Sequence, residues 1–92
     1  MASSTKASAK FLVTSELGLH FRAAAMVVRK VGEFSSKVTL SNGQTVADAS
    51  SVLDLLTLTA SCGTTLEVTA EGSDAEQAVA ALGALIARNF AE

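Results

Sequence analysis

The chain has 92 residues, 49% of them apolar and 17% charged, with a net charge of −2, one cysteine and no proline. That is one domain with a small core of Val, Leu, Ala and four Phe. The scattered cations supply no clustered field for a nucleic-acid backbone, and no apolar run reaches the roughly 20 residues that a membrane helix needs. Cys62 has no partner for an internal disulfide, which suits a reducing cytosol.

Met1–Ser8 is small, polar and Ser-rich, without the apolar stretch of a signal peptide, and reads as a flexible tail ahead of a domain over 9–92. Ala9–Thr14 reads as a strand, with Phe11 and Val13 on one face and Leu12 on the other. Ser15–Leu19 forms a loop containing Gly18. From Phe21 to Phe34, Ala24, Val27, Val28, Val31 and Phe34 recur every three or four residues. That spacing predicts an amphipathic helix with Arg29, Lys30 and Glu33 outward. Three of its residues are valines, which are poor helix formers, so packing must hold it.

Lys37–Ser41 alternates cleanly, and Asn42-Gly43 then predicts a tight hairpin, with Gln44–Ala47 as the return strand. Ser51-Val52-Leu53-Asp54 is a capping-box variant opening a short helix. Its Leu53, Leu55, Leu56 and Leu58 cannot all face inward; Leu56 is assigned to the core and Leu53 to the surface. Thr65–Ala70 is a strand with Leu66, Val68 and Ala70 on one face. Ser73-Asp74-Ala75-Glu76 is a fuller capping box. It opens a helix to about Asn89 whose buried stripe is Val79, Leu82, Leu85, Ile86 and Phe90. The order β-α-β-β-α-β-α predicts an α+β fold, its sheet covered by helices on one face only. Without the last helix, the same order also suits a ferredoxin-like fold.

His20 is the only histidine, and it stands where a strand and loop give way to the first helix. Unpaired N–H groups and the helix dipole make such a spot suited to a phosphoryl group. Neutral imidazole is well able to take and release one at pH 7. Arg22, two residues on, is a guanidinium fork matched to phosphate oxygens. The bland alternative is an exposed histidine that merely precedes a helix. A metal site has too few ligands around one histidine, and no cofactor motif is present.

Gly18-Leu19-His20-Phe21-Arg22-Ala23-Ala24-Ala25 resembles the Gly-Leu-His-Ala-Arg-Pro-Ala-Ala signature of HPr, the histidine-containing phosphocarrier family of the bacterial sugar phosphotransferase system. The likeness runs from Ala9 to Phe90. It includes Phe34 at the end of the first helix, Asn42-Gly43, the run Ser50–Leu58, Gly63, and Ala70-Glu71-Gly72-Ser73-Asp74-Ala75-Glu76-Gln77-Ala78. The resemblance implies an open-faced β-sandwich: a four-stranded antiparallel sheet with three helices on one face.

It further implies a cytoplasmic, monomeric carrier that is not itself an enzyme. His20 would accept phosphate on Nδ1 from phosphorylated Enzyme I and pass it to sugar-specific EIIA-type carriers, with Arg22 and the first helical amides compensating its charge. Ser51 matches the serine modified by an HPr kinase/phosphorylase, and that kinase and a transcriptional regulator are further partners the resemblance implies. Ser50 stands in the place of the usual lysine and is the register alternative. Phe21, Arg29 and Leu53 would form the partner-binding patch. Three departures stand out: Ala23 replaces the signature's proline, Phe21 replaces a small residue, and Gly32 offers no basic side chain. The Ala23, Phe21 and Ser50 substitutions keep a second reading open, a regulatory binding module with reduced or lost phosphotransfer.

Overall fold

In a computed structural model, which describes residues 5–58 and 60–90, the chain runs β1 (Lys6–Leu12), α1 (Phe21–Val31), β2 (Lys37–Ser41), β3 (Val46–Asp48), α2 (Val52–Leu56), β4 (Thr65–Glu71) and α3 (Ala75–Ala87). The four strands form one antiparallel sheet of order β1-β4-β2-β3. Period-two alternation places Ala9, Val68, Leu40 and Ala47 side by side across the sheet on its helix-covered face. Leu66, Val68 and Ala70 of β4 are fully buried there. The next row, on the opposite face, is Lys10, Glu67 and Ser41, polar as a solvated face requires, and it ends at the exposed Val46 of β3. The predicted α+β open-faced sandwich is therefore the observed one.

Helix α3 lies over β1 and β4, while α1 packs between α2 and α3. A Cβ at Gly83 of α3 would collide with the Phe11 ring, so glycine is what lets that aromatic press on the helix backbone. The predicted stripe of Val79, Leu82, Leu85, Ile86 and Phe90 is buried throughout.

Several boundaries move, each for a physical reason. The strand begins at Lys6, because β4 continues to Glu71 and offers Lys6, Ala7 and Ser8 partners at Glu71, Ala70 and Thr69. The proposed tail therefore does not extend to Ser8, and the remainder of it, residues 1–4, lies outside the described residues. Helix α1 stops at Val31, not Phe34; Glu33 and Phe34 donate to Lys30 and Val31 carbonyls in tightened i→i−3 turns. The hairpin is wider than Asn42-Gly43 suggested. Ser41 pairs with Val46, and the Asn42 carboxamide oxygen accepts the amides of Gln44 and Thr45 within a four-residue loop.

The second capping box does not form. Asp74 is the N-cap of α3 but makes no side-chain bond to that helix. Its carboxylate accepts instead from the Ser35 amide at 2.8 Å, the Ser36 amide at 3.0 Å and the Ser36 hydroxyl at 2.5 Å. Tertiary amides outcompete the local ones, and Asp74 ties the α1–β2 turn to the start of α3. The Ser36 hydroxyl first, then the Ser35 amide, hold the Asp74 carboxyl below the usual carboxylate range.

A carboxyl so lowered stabilises the fold above its unfolded value and loses that contribution as pH falls through its folded value. Asp74→Asn should therefore lower Tm at pH 7. The gap to the parent should close in acid below the usual carboxylate range, where Asp74 itself is protonated. Thermal scans from pH 7 to pH 2 read this out, and a constant gap across that range would refute the role.

Candidate functional site

The chain reaches the site through a loop held at both ends. At its start, Val13 is fully buried, its amide donating to Thr64 O at 2.8 Å and its carbonyl accepting from Gly63 at 2.7 Å. The Thr14 hydroxyl donates to Asn89 Oδ1 at 2.7 Å, tying this loop to the end of α3. A turn then closes, with the Gly18 amide on Ser15 O at 3.0 Å. Gly18 adopts φ +63°, and a Cβ there would run into the carbonyl of Ala60. That same carbonyl accepts the Leu19 amide at 2.7 Å.

The backbone thus arrives at His20 in an extended conformation, φ −84° and ψ 179°, as the N-cap of α1. The His20 carbonyl accepts the first helical bond, from Ala24 at 2.8 Å. Its imidazole Nδ1 accepts from the Ala23 amide at 3.4 Å, at the long end of hydrogen bonding. The ring nitrogen facing the helix is thus Nδ1, in the acceptor position towards the Ala23 amide. The amides of Phe21 and Arg22 precede the first intrahelical bond and have no acceptor within the helix. With no acid in the first turn, the positive end of α1 is uncompensated by its own side chains. The arrangement is an imidazole nitrogen at a helix N-terminus with two amides free of helical acceptors, and an exposed arginine follows in the first turn.

Arg22 and Arg29 are seven residues apart, so they lie in one exposed row along α1. Arg29 lines a cleft of about 220 Å³ between α1 and α3, together with Met26, Lys30, Glu33, Leu85 and Arg88. Phe21 stands about 80° around the helix from it, on the flank away from that cleft. Arg22 is exposed in the first turn of α1, two residues after His20, while Arg29 is set off towards α3. Phe21 is 65% exposed and Leu53, on the neighbouring α2, is 78% exposed. Leu17, 75% exposed in the same loop as Gly18, was not singled out from sequence; an apolar residue between Glu16 and Gly18 was the available signal.

Ser51 caps α2 as predicted, its hydroxyl accepting from Asp54 N at 3.2 Å. The reciprocal half of the box is missing. The Asp54 carboxylate reaches past the cap to accept from Asp48 N at 2.6 Å, and Ser51 N donates to Asp48 O at 3.1 Å. Ser50 turns its hydroxyl to Asp48 Oδ1 at 2.7 Å, which holds the Asp48 carboxyl low. Leu55 and Leu58 are buried and Leu56 half-buried against the core, as assigned. The segment after α2 carries Ala60, so the His20 loop meets the C-terminal side of α2 while Ser51 opens its other end. Among the described residues, no group of three His, Cys, Asp or Glu could hold a metal, and no helix is long and apolar enough to cross a membrane.

The family model described as the PTS HPr component phosphorylation site matches residues 7–88. The chain belongs to the HPr family. It is 38% identical over 80 residues to phosphocarrier protein HPr of Cupriavidus necator, covering 87% of this chain and 90% of that one. It is 36% identical over 88 residues to phosphocarrier protein NPr of Shewanella violacea, covering 96% and 97% of the two chains. Among solved structures, HPr-C-His from Thermoanaerobacter tengcongensis superposes with a TM-score of 0.87 at 31% identity, over 94% of this chain and 97% of that one. The HPr fold and a place among the phosphocarriers of the phosphotransferase system follow.

Within this HPr fold, Gly18 combines a left-handed backbone with a close backbone contact. Gly18→Ala must strain a left-handed backbone and displace the Ala60 carbonyl, and should cost on the order of 1–3 kcal/mol in denaturant unfolding. The Ala23 amide resonance should also shift as His20 moves. A variant with parental stability and an unshifted Ala23 amide would disprove the dependence.

Proposed function

We propose that the protein is a phosphocarrier whose acceptor is His20 Nδ1. The observation that carries this reading is the imidazole at the N-terminus of α1, its Nδ1 lone pair turned towards the first-turn amides. Phosphorylated Enzyme I is the donor, and sugar-specific EIIA-type carriers are the acceptors, in the cytoplasm. Arg22 and the amides of Phe21 and Arg22 compensate the charge on the bound phosphoryl group. Exposed Phe21, Leu17 and Leu53 supply the apolar part of the docking face, and Arg22 its cationic part. Arg29, one row further along α1, reaches only a partner that extends towards α3. The protein acts as a monomer and as a substrate of its partners, so turnover belongs to them.

Incubation with Enzyme I and labelled phosphoenolpyruvate should give acid-labile, base-stable label on the parent and none on His20→Ala. Stable labelling of His20→Ala would overturn the assignment. Arg22→Ala should retain labelling but slow it by at least about tenfold, the loss of one charge-assisted contact in the transition state.

We further propose that Ser51 is the regulatory serine, acted on by an HPr kinase/phosphorylase and read by a transcriptional regulator. Phosphate on Ser51 adds nearly two negative charges to α2. It does so on a helix packed against α1, and so weakens approach of a donor that carries phosphate itself. Ser50 is the poorer candidate, because its hydroxyl lies against the Asp48 carboxylate that a phosphate would repel. Ser51→Asp should slow phosphorylation of His20 and leave Tm nearly unchanged, since Asp also caps helices well. Ser51→Ala should instead cost about 1 kcal/mol and leave transfer intact. Equal transfer rates for Ser51→Asp and the parent would count against inhibition. The alternative, a regulatory module without phosphotransfer, rests on Phe21 and Ala23 in the signature, and efficient passage of phosphate to an EIIA-type carrier would eliminate it.

A further inference from the structure

The Ala23 amide occupies a place where the HPr signature quoted above has proline, and proline has no N–H. In this chain that amide exists and is directed at the nucleophile: its N–H donates to His20 Nδ1 at 3.4 Å. Ala23 itself is fully buried, so the amide is held by the packing of α1 and not by a mobile turn. The Ala24 amide next to it is already committed to the His20 carbonyl at 2.8 Å, and is not available to the site.

Resting on the phosphocarrier function proposed above, we infer that the Ala23 N–H is a third backbone ligand of the phosphoryl group and sets the reactive tautomer of His20. In the resting protein it can donate only to an unprotonated Nδ1, so it holds the ring with its proton on Nε2 and keeps Nδ1 as the unprotonated nitrogen on the helix side. At 3.4 Å the bond is weak, so it orients the lone pair without burying it in a strong interaction. For transfer the ring turns off the Ala23 amide, breaking that weak bond; the freed Nδ1 lone pair then forms a bond to phosphorus while the nitrogen–phosphorus bond of the donor's phosphohistidine breaks. The departing imidazole keeps that electron pair, and His20 Nε2 keeps its proton throughout. Once phosphorus occupies Nδ1, the Ala23 N–H has lost its acceptor, and the nearest replacement is an oxygen of the new phosphoryl group. The amide exchanges a weak bond to a neutral nitrogen for a stronger one to an anionic oxygen. The phosphorylated state is thereby stabilised relative to the free carrier. The alanine in the signature, on its face a loss, adds a donor.

Two variants remove the N–H by different routes. Ala23→Pro deletes it and restores the signature residue; an ester replacement of the Arg22–Ala23 peptide bond, made by chemical ligation, deletes it without introducing a ring. Nitrogen NMR of the His20 ring should show Nε2–H as the dominant neutral tautomer in the parent and a mixture in both variants. Parent and variant are then mixed with catalytic Enzyme I and limiting phosphoenolpyruvate, so that phosphate distributes between them. It should favour the parent by about fivefold, the worth of one hydrogen bond to the phosphoryl group net of the weak one lost. Even partition between parent and ester variant, or an unchanged tautomer in the ester variant, overturns the inference. If Enzyme I transfers nothing to any chain, the function proposed above fails, and the ring spectra alone then decide whether Ala23 sets the tautomer.

Discussion

Where His20 stands depends on one contact, the seating of Gly18 on the carbonyl of Ala60. It demands two things at once: a backbone in the left-handed region, and no side-chain atom between the two segments. Only glycine meets both. The carbonyl thus exposed accepts the next amide, Leu19, and the chain has one direction left in which to enter α1. Capping of α1 by an imidazole is a local event spanning four residues. The position of that cap in space is a tertiary fact, decided by a residue beyond α2. Were the loop free, the same His-x-x-Ala sequence would still cap a helix, but nothing would fix the cap relative to α2 and its exposed Leu53.

The elements were legible from sequence where burial and alternation agreed, as in β2, β4 and the stripe of α3. They were less legible where a local signature had a distant competitor. Both capping boxes contain the right residues, yet Asp74 binds Ser35 and Ser36, and Asp54 binds Asp48. A carboxylate with a choice of amides goes to those left without partners by the fold as a whole, and sequence spacing does not report which those are. The hairpin shows the same limit. Asn42 uses its side chain to accept two amides and to donate to Leu58 O at 2.6 Å, and the loop widens around it. At the proposed site, His20 and Arg22 could be singled out because their side chains are of types suited to phosphoryl chemistry. Ala60 and Ala23 act through a carbonyl and an amide, which every residue possesses, so nothing in their identity announces the role.

Helix α1 reconciles two demands that usually conflict. Its inward face is Ala23, Ala24, Val27 and Val31, small enough to bring the helix close to its neighbours. Valine is a poor helix former and alanine the best, so packing and propensity contribute from different residues on the same face. The outward row of Arg22 and Arg29 then carries charge without any cost of burial. Placing the reactive end at the N-terminus keeps Arg29 and Lys30 at the C-terminus, where they compensate the other pole of the dipole. One helix therefore leaves its positive pole without an acidic side chain at one end and carries its own counter-charge at the other.

The sheet order has a consequence for how the chain is made. Strand β1 pairs only with β4, joining Lys6 to Glu71 and Leu12 to Thr65. During synthesis, at roughly 5–20 residues per second, the first strand must wait several seconds for its partner to appear. Meanwhile β2 and β3 form a nearby hairpin, but β1 stays an unpaired edge until β4 leaves the ribosome and lies between them. Lys6, Ser8 and Lys10 make that face of the waiting strand charged or polar as far as the exposed Leu12 at its end, a defence against pairing with another nascent chain.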